Sequence, residues 1–178
     1  MLSAFQSQLD YLSQTDIEKF EQKIKERWTT NVPNAYIKEM KEFISLLPKV
    51  EKAIFDLYVW LPEGSNVKKA GEHFLTYMYE PHDFIPENES NGLFGYLDDA
   101  YIAALFYELL IEEVSETHEY RLRKKDKELV RKVGSLRKKA KKTIAAEAKK
   151  IHQMLAEIFR DEATIYNSLF GRKKATIV

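Results

Sequence analysis

Residues 97–119 read LDDAYIAALFYELLIEEVSETHE, and this stretch decides the fold. Apolar side chains occupy most of its helical positions, among them Tyr101, Ile102, Leu105, Phe106, Leu109, Leu110 and Val114. A helix that is apolar on most of its faces is stable only when neighbouring elements cover it. The stretch therefore predicts a central, mostly buried helix in an all-α protein.

The composition of the whole chain agrees with that interpretation. The 178 residues fit a single domain, 1–178, that is large enough to bury one core. Only 6 Gly and 5 Pro are present, which disfavours a sandwich or barrel with many tight turns. The chain has no Cys, which excludes disulfides, thiolate zinc sites and Cys nucleophiles.

Apolar side chains at helical spacing also mark the chain before the central stretch. They predict helices near 15–28, 33–47, 50–61 and 65–80. Thr15 and Glu18 have the spacing of a capping box at the first of these helices. Pro48 predicts a break between the second and the third, and residues 81–94 predict one long irregular connection.

The C-terminal part, residues 119–170, is predicted to be a long basic, amphipathic helical region. Its apolar positions follow an almost continuous three-to-four spacing. One helix over this range would be roughly 78 Å long, too long to pack inside one small domain. We expect it to fold back near Gly134-Ser135 as a hairpin, or to project and form a homodimer with a second copy. The whole chain is predicted to be a bundle of six to seven helices around 65–118.

Charge is strongly segregated although the net charge is zero. Residues 80–119 contain eleven Asp or Glu and no Lys or Arg, whereas residues 120–150 contain fourteen Lys or Arg and three acids. The two blocks can pair within the chain or between two copies. Alternatively, the basic block forms a face for nucleic acid or another polyanion. Lys and Arg side chains that bind a polyanion gain affinity because they release its condensed counterions. The basic residues predicted to contact such a partner are Arg131, Lys132, Arg137, Lys138, Lys139, Lys141 and Lys142.

A local motif precedes the central stretch: residues 77–99 read YMYEPHDFIPENESNGLFGYLDD. It resembles the motif of the YkvA-type bacterial family of unknown function, and the resemblance covers residues 77–111. The matching residues are Pro81, Asp83, Ile85, Pro86, Gly95, Tyr96, Leu97, Asp98 and Asp99. Glu87 and Ser90-Asn91 depart from the family's pattern. The resemblance implies a helical hairpin around this loop in a bacterial protein, and it implies no activity.

The same motif brings four carboxylates close together in the sequence: Asp83, Glu87, Asp98 and Asp99. Such a group could hold a divalent cation such as Mg²⁺, Mn²⁺ or Ca²⁺, with His82 as a further ligand. Asp98 and Asp99 could equally cap the first turn of the following helix. The carboxylates therefore predict either a metal-dependent, hydrolase-like enzyme or a set of structural caps.

The leading functional hypothesis is a binding or scaffold protein that uses its basic helical face. The metal-dependent enzyme is the first alternative, and peripheral membrane association through the same basic helix is the second. Residues 121–150 contain no aromatic side chain, which argues against stacking on single-stranded bases. No apolar run approaches the roughly 20 residues of a transmembrane helix, so we expect no such segment and a cytoplasmic location.

Overall fold

A computed structural model describes residues 2–28, 31–79, 84–116 and 121–158. Within these ranges the chain contains eight α-helices, one 3-10 helix at Gly92–Tyr96 and no strand. The helices are α1 (Leu2–Thr15), α2 (Ile17–Glu26), α3 (Asn34–Ser45), α4 (Leu47–Tyr58), α5 (Asn66–Tyr79), α6 (Leu97–Glu116), α7 (Lys124–Ala140) and α8 (Ala145–Ile158). The all-α prediction is confirmed. None of the helices in these ranges has both the length and the apolar character needed to span a membrane.

Helix α6 forms the centre of the bundle, as its sequence predicts. Every residue from 97 to 107 is buried, and α3, α4, α5, α7, α8 and the 3-10 helix all contact α6. The half-buried Glu108 is the first interruption. Because α6 has no polar face of its own, its neighbours form a nearly complete shell around it.

The N-terminal helix α1 explains why the described residues hold eight α-helices and not six to seven. The capping-box prediction at Thr15 is wrong: Thr15 ends α1, and its hydroxyl donates to the carbonyl oxygen of Tyr11. Asp16 begins α2 without a capping hydrogen bond from its side chain and instead accepts the amide of Leu93 at 3.0 Å. A tertiary contact with the 3-10 helix takes the place of the predicted local cap.

The basic C-terminal region folds back on the bundle, since α7 and α8 both contact α6. The turn between them lies at residues 141–144, and α7 continues through Gly134 and Ser135 without a bend. Gly134 has a different role from the predicted one, because a Cβ atom there would overlap Oε1 of Glu108. The glycine thus allows α7 to approach α6 closely. Residues 159–170 of the predicted region lie outside the described residues.

Candidate anionic-partner surface

Three of the seven predicted contact residues are engaged in ion pairs within the chain. Arg137 pairs with Glu108 of α6, while Lys132 and Lys139 pair with Glu42 and Glu39 of α3. These pairs join α7 to the two helices against which it packs. Part of the basic block therefore neutralises acids of the same chain. Only Glu108 belongs to the acidic block 80–119 with which the sequence predicts intramolecular pairing, since Glu39 and Glu42 lie on α3.

Arg137 is the most enclosed of these cations, with a side chain only 11% exposed. Its guanidinium lies over the ring of Tyr101, 5.5 Å from the ring centroid, and the Tyr101 hydroxyl shares a 2.9 Å hydrogen bond with Nε2 of His152. Burial, with the charges of Lys141 and Arg137, lowers the pKa of His152 to about 4. The imidazole is therefore neutral at physiological pH, and Arg137 is held inside a polar cluster that links α6, α7 and α8.

The four other predicted contact residues are exposed: Arg131, Lys138, Lys141 and Lys142. None of their side chains makes an ion pair with a described residue. Lys127 is exposed in the same way and lies four residues before Arg131, which is seven residues before Lys138. That spacing places these three cations on one side of α7, opposite its buried apolar side chains Leu129, Val133, Leu136 and Ala140. We call the five side chains of Lys127, Arg131, Lys138, Lys141 and Lys142 the basic face.

The turn that carries Lys141 and Lys142 is held by a cluster around Thr143. The Thr143 hydroxyl accepts Nε1–H of Trp28 at 3.0 Å and shares a 2.6 Å hydrogen bond with the hydroxyl of Tyr36. Arg27 pairs with the buried Glu147 at 2.7 Å just beyond the turn. Side chains from the end of α2 and the start of α3 thus position the turn, although 100 or more residues separate them from it in the sequence.

The predicted carboxylate cluster has a different arrangement. Asp98 is fully buried, and its Oδ2 accepts the Tyr77 hydroxyl at 3.0 Å and the Ile85 amide at 2.9 Å. Asp98 therefore ties the end of α5 and the following loop to the start of α6. Asp99 is also buried, whereas Glu87 is exposed. Asp83 lies outside the described residues, as does His82.

No three acidic, histidine or cysteine side chains in the described ranges are arranged to hold one metal ion. One carboxylate that the sequence analysis did not single out does interact with Glu87. Burial raises the pKa of Glu51 on α4 to about 7, and the negative charge of Glu87 adds to the rise. No periodic or motif signal points to Glu51, because its environment arises only when α4 packs beside the loop.

The loop and the 3-10 helix of the motif pack tightly on each other. A Cβ atom on Gly95 would lie 3.0 Å from the Cα atom of Glu87 and 3.1 Å from the carbonyl oxygen of Pro86. Glycine at position 95 therefore allows the backbone of the loop to lie against the 3-10 helix. This packing gives a structural reason for part of the motif without assigning it any chemistry.

Neither the family models nor the curated proteins nor the solved structures contain a match to this chain. The resemblance of residues 77–111 to the YkvA-type family stays a prediction.

Proposed function

We propose that this chain is a binding protein whose basic face contacts the phosphate backbone of a nucleic-acid duplex. The observation that carries the proposal is that five neighbouring exposed cations make no ion pair with a described residue, while Lys132, Arg137 and Lys139 of α7 compensate acids of α3 and α6. Cations without an intramolecular partner are the ones that can release counterions from a polyanion.

The dimensions of the basic face suit a duplex backbone. From Lys127 to Lys142 the face extends roughly 22 Å if the helical rise is continued through the turn. A double helix carries one phosphate charge for about every 1.7 Å of its axis, so several phosphates lie within that length. The absence of aromatic side chains from residues 121–150 favours a duplex over a single strand, whose bases need stacking platforms.

The proposal is tested by fluorescence anisotropy with labelled duplex DNA and duplex RNA at low and moderate salt. Five phosphate contacts predict a slope of about −4.5 for the logarithm of affinity against the logarithm of salt concentration. The double variant Lys138→Glu/Lys142→Glu is expected to weaken binding at least about tenfold and to reduce that slope by about 2.

The matched control is Lys38→Glu/Lys69→Glu, which changes the net charge equally at two exposed positions on α3 and α5. Binding of the control should stay close to that of the original chain. An equal loss in both variants would assign the binding to net charge and not to the basic face. The absence of binding to either duplex at low salt would overturn the proposal.

A further inference from the structure

The end of α4 exposes apolar side chains that the bundle does not cover. Phe55 is 42% exposed, Val59 is 73% exposed and Trp60 is 46% exposed. Phe55 and Val59 lie one helical turn apart, so they are neighbours on the outer side of α4. Three large apolar side chains exposed side by side are unusual for a solvated helix end and indicate a contact surface.

A charged groove adjoins this apolar cluster, between α4 and the start of α7. It encloses a cavity of about 220 Å³. Its charged lining consists of Lys49, Lys52, Arg123, Lys125, Asp56 and Asp126. Lys52 pairs with Asp56 at 3.3 Å and Arg123 pairs with Asp126 at 2.8 Å. Lys49 and Lys125 have no ion pair with a described residue, so the groove has a charge excess of two cations.

The apolar cluster and the groove share one surface of the molecule. Lys52 lies three residues before Phe55 and seven before Val59, which places all three on the outer side of α4. We call this combination of Phe55, Val59, Trp60 and the groove cations Lys49 and Lys125 the α4 surface.

We propose that the α4 surface docks on an anionic membrane, with a lipid phosphate in the groove and the apolar cluster at the level of the headgroups. Aromatic side chains favour the membrane interface, where an apolar ring meets water and lipid together. Nearby cations add attraction to anionic lipids. The charge excess of the groove favours an anionic over a neutral surface, and the exposed rings of Phe55 and Trp60 beside it favour a bilayer interface over an acidic protein surface. This inference does not rest on the basic face of α7 or on its proposed duplex.

The inference is tested with the full chain and vesicles of phosphatidylcholine, with and without phosphatidylglycerol, by co-sedimentation. Binding is expected only when phosphatidylglycerol is present. The variant Phe55→Ser/Val59→Ser should reduce the partition coefficient about tenfold or more, because it removes the apolar contribution. Lys49→Glu/Lys125→Glu should reduce it by a similar factor through the loss of lipid attraction.

Two controls separate this surface from others. Tyr11→Ser removes an aromatic side chain that is 66% exposed on α1 and should leave vesicle binding unchanged. Lys138→Glu/Lys142→Glu should weaken binding to the nucleic-acid duplex and leave vesicle binding unchanged. Quenching of Trp60 fluorescence by brominated lipid, absent in Trp60→Phe, would give direct evidence of insertion.

The inference would be overturned if the protein did not bind vesicles at low salt, or if Phe55→Ser/Val59→Ser left vesicle binding unchanged. It would also be overturned if vesicle binding were lost only in Lys138→Glu/Lys142→Glu. The last result would assign membrane contact to α7. Binding of inorganic phosphate to the protein without vesicles, together with no binding to the vesicles, would show that the groove is a site for free phosphate.

Discussion

Nη2 of Arg137 lies 2.7 Å from Oε2 of Glu108, and Nε of the same guanidinium lies 3.4 Å from Oε1. This two-point contact joins α7 to the central helix at Glu108, the residue that directly follows the buried run of α6. The pair is largely enclosed, so each partner depends on the other for compensation. Burial alone would lower the pKa of Arg137, but the hydrogen bond and charge of Glu108 raise it above its ordinary value.

Removing one partner of this pair should therefore be costly. We expect Arg137→Met to lower the free energy of unfolding by about 3 kcal/mol, because Glu108 would keep an uncompensated charge inside the bundle. Urea denaturation followed by circular dichroism measures the change. Lys138→Met removes the exposed neighbouring cation and should leave the urea midpoint unchanged. Equal effects in the two variants would contradict the structural role given to Arg137.

Replacing Gly134 with Ala should lower the stability of the protein, although Ala has the higher helix propensity. Ala is normally favoured over Gly in a helix by about 1 kcal/mol. Here the new methyl group would displace the Glu108 carboxylate from Arg137, so we expect Gly134→Ala to destabilise the protein by about 1 kcal/mol. In a Glu108→Ala background the same substitution should become stabilising. A double-mutant cycle measured by urea denaturation gives both values.

The hydrogen bond from Tyr77 to Asp98 predicts that removal of the Tyr77 hydroxyl lowers the stability of the protein. Tyr77→Phe removes a buried hydrogen bond to a carboxylate, and we expect a loss of about 1.5 kcal/mol in thermal denaturation. Burial and the nearby charges of Asp98 and Asp99 raise the pKa of Tyr77, so this phenol should not ionise in an alkaline absorbance titration. Tyr11→Phe, at an exposed phenol, is the control. Stability unchanged in Tyr77→Phe would show that Asp98 does not anchor the loop through this bond.

Glu51 predicts a pH-dependent stability. Its pKa of about 7 in the folded chain exceeds its ordinary value of 4.5, so folding favours the protonated acid. The stability associated with this group is complete below about pH 4.5 and decreases as the pH rises towards 7. Glu51→Gln should therefore raise stability at pH 8 by about 1 kcal/mol. This value is smaller than the pKa shift alone would give, because solvent screens the partly exposed side chain.

Thermal melts of the Glu51→Gln variant at several pH values measure this difference. The variant and the original chain should converge at pH 4, where Glu51 is protonated in both states. The exposed Glu112 gives a control through Glu112→Gln, which should not alter the pH profile. A gain that persists unchanged at pH 4 would mean that the carboxylate is not the cause.

The cluster around Thr143 predicts a link between stability and the basic face. Thr143→Val removes the acceptor of Trp28 and one partner of Tyr36, and we expect a loss of about 2 kcal/mol in urea denaturation. Affinity for a duplex should also fall, because the turn that carries Lys141 and Lys142 loses its support. Thr15→Val is the control, since that hydroxyl is exposed and bonds only within α1. Duplex affinity unaffected by Thr143→Val would separate the basic face from this cluster.

Periodicity and apolar density alone determined that the chain is helical and that the stretch 97–119 supplies its central, mostly buried helix. They succeed because a helix without a polar face must be covered, whatever covers it. The pattern did not reveal α1, where Thr15 and Glu18 resembled a helix start. The hydrogen bond that the Leu93 amide donates to Asp16 makes that position a junction between elements 77 residues apart.

Only the tertiary structure decided which cations of the basic block are available to a partner. Lys132, Arg137 and Lys139 lie within a few residues of Arg131 and Lys138, and composition treats all five alike. Their roles differ because Glu42, Glu108 and Glu39 happen to face the first three when α7 packs on α3 and α6. The spacing along one helix determines which side a residue occupies, but only packing determines which charge it meets there.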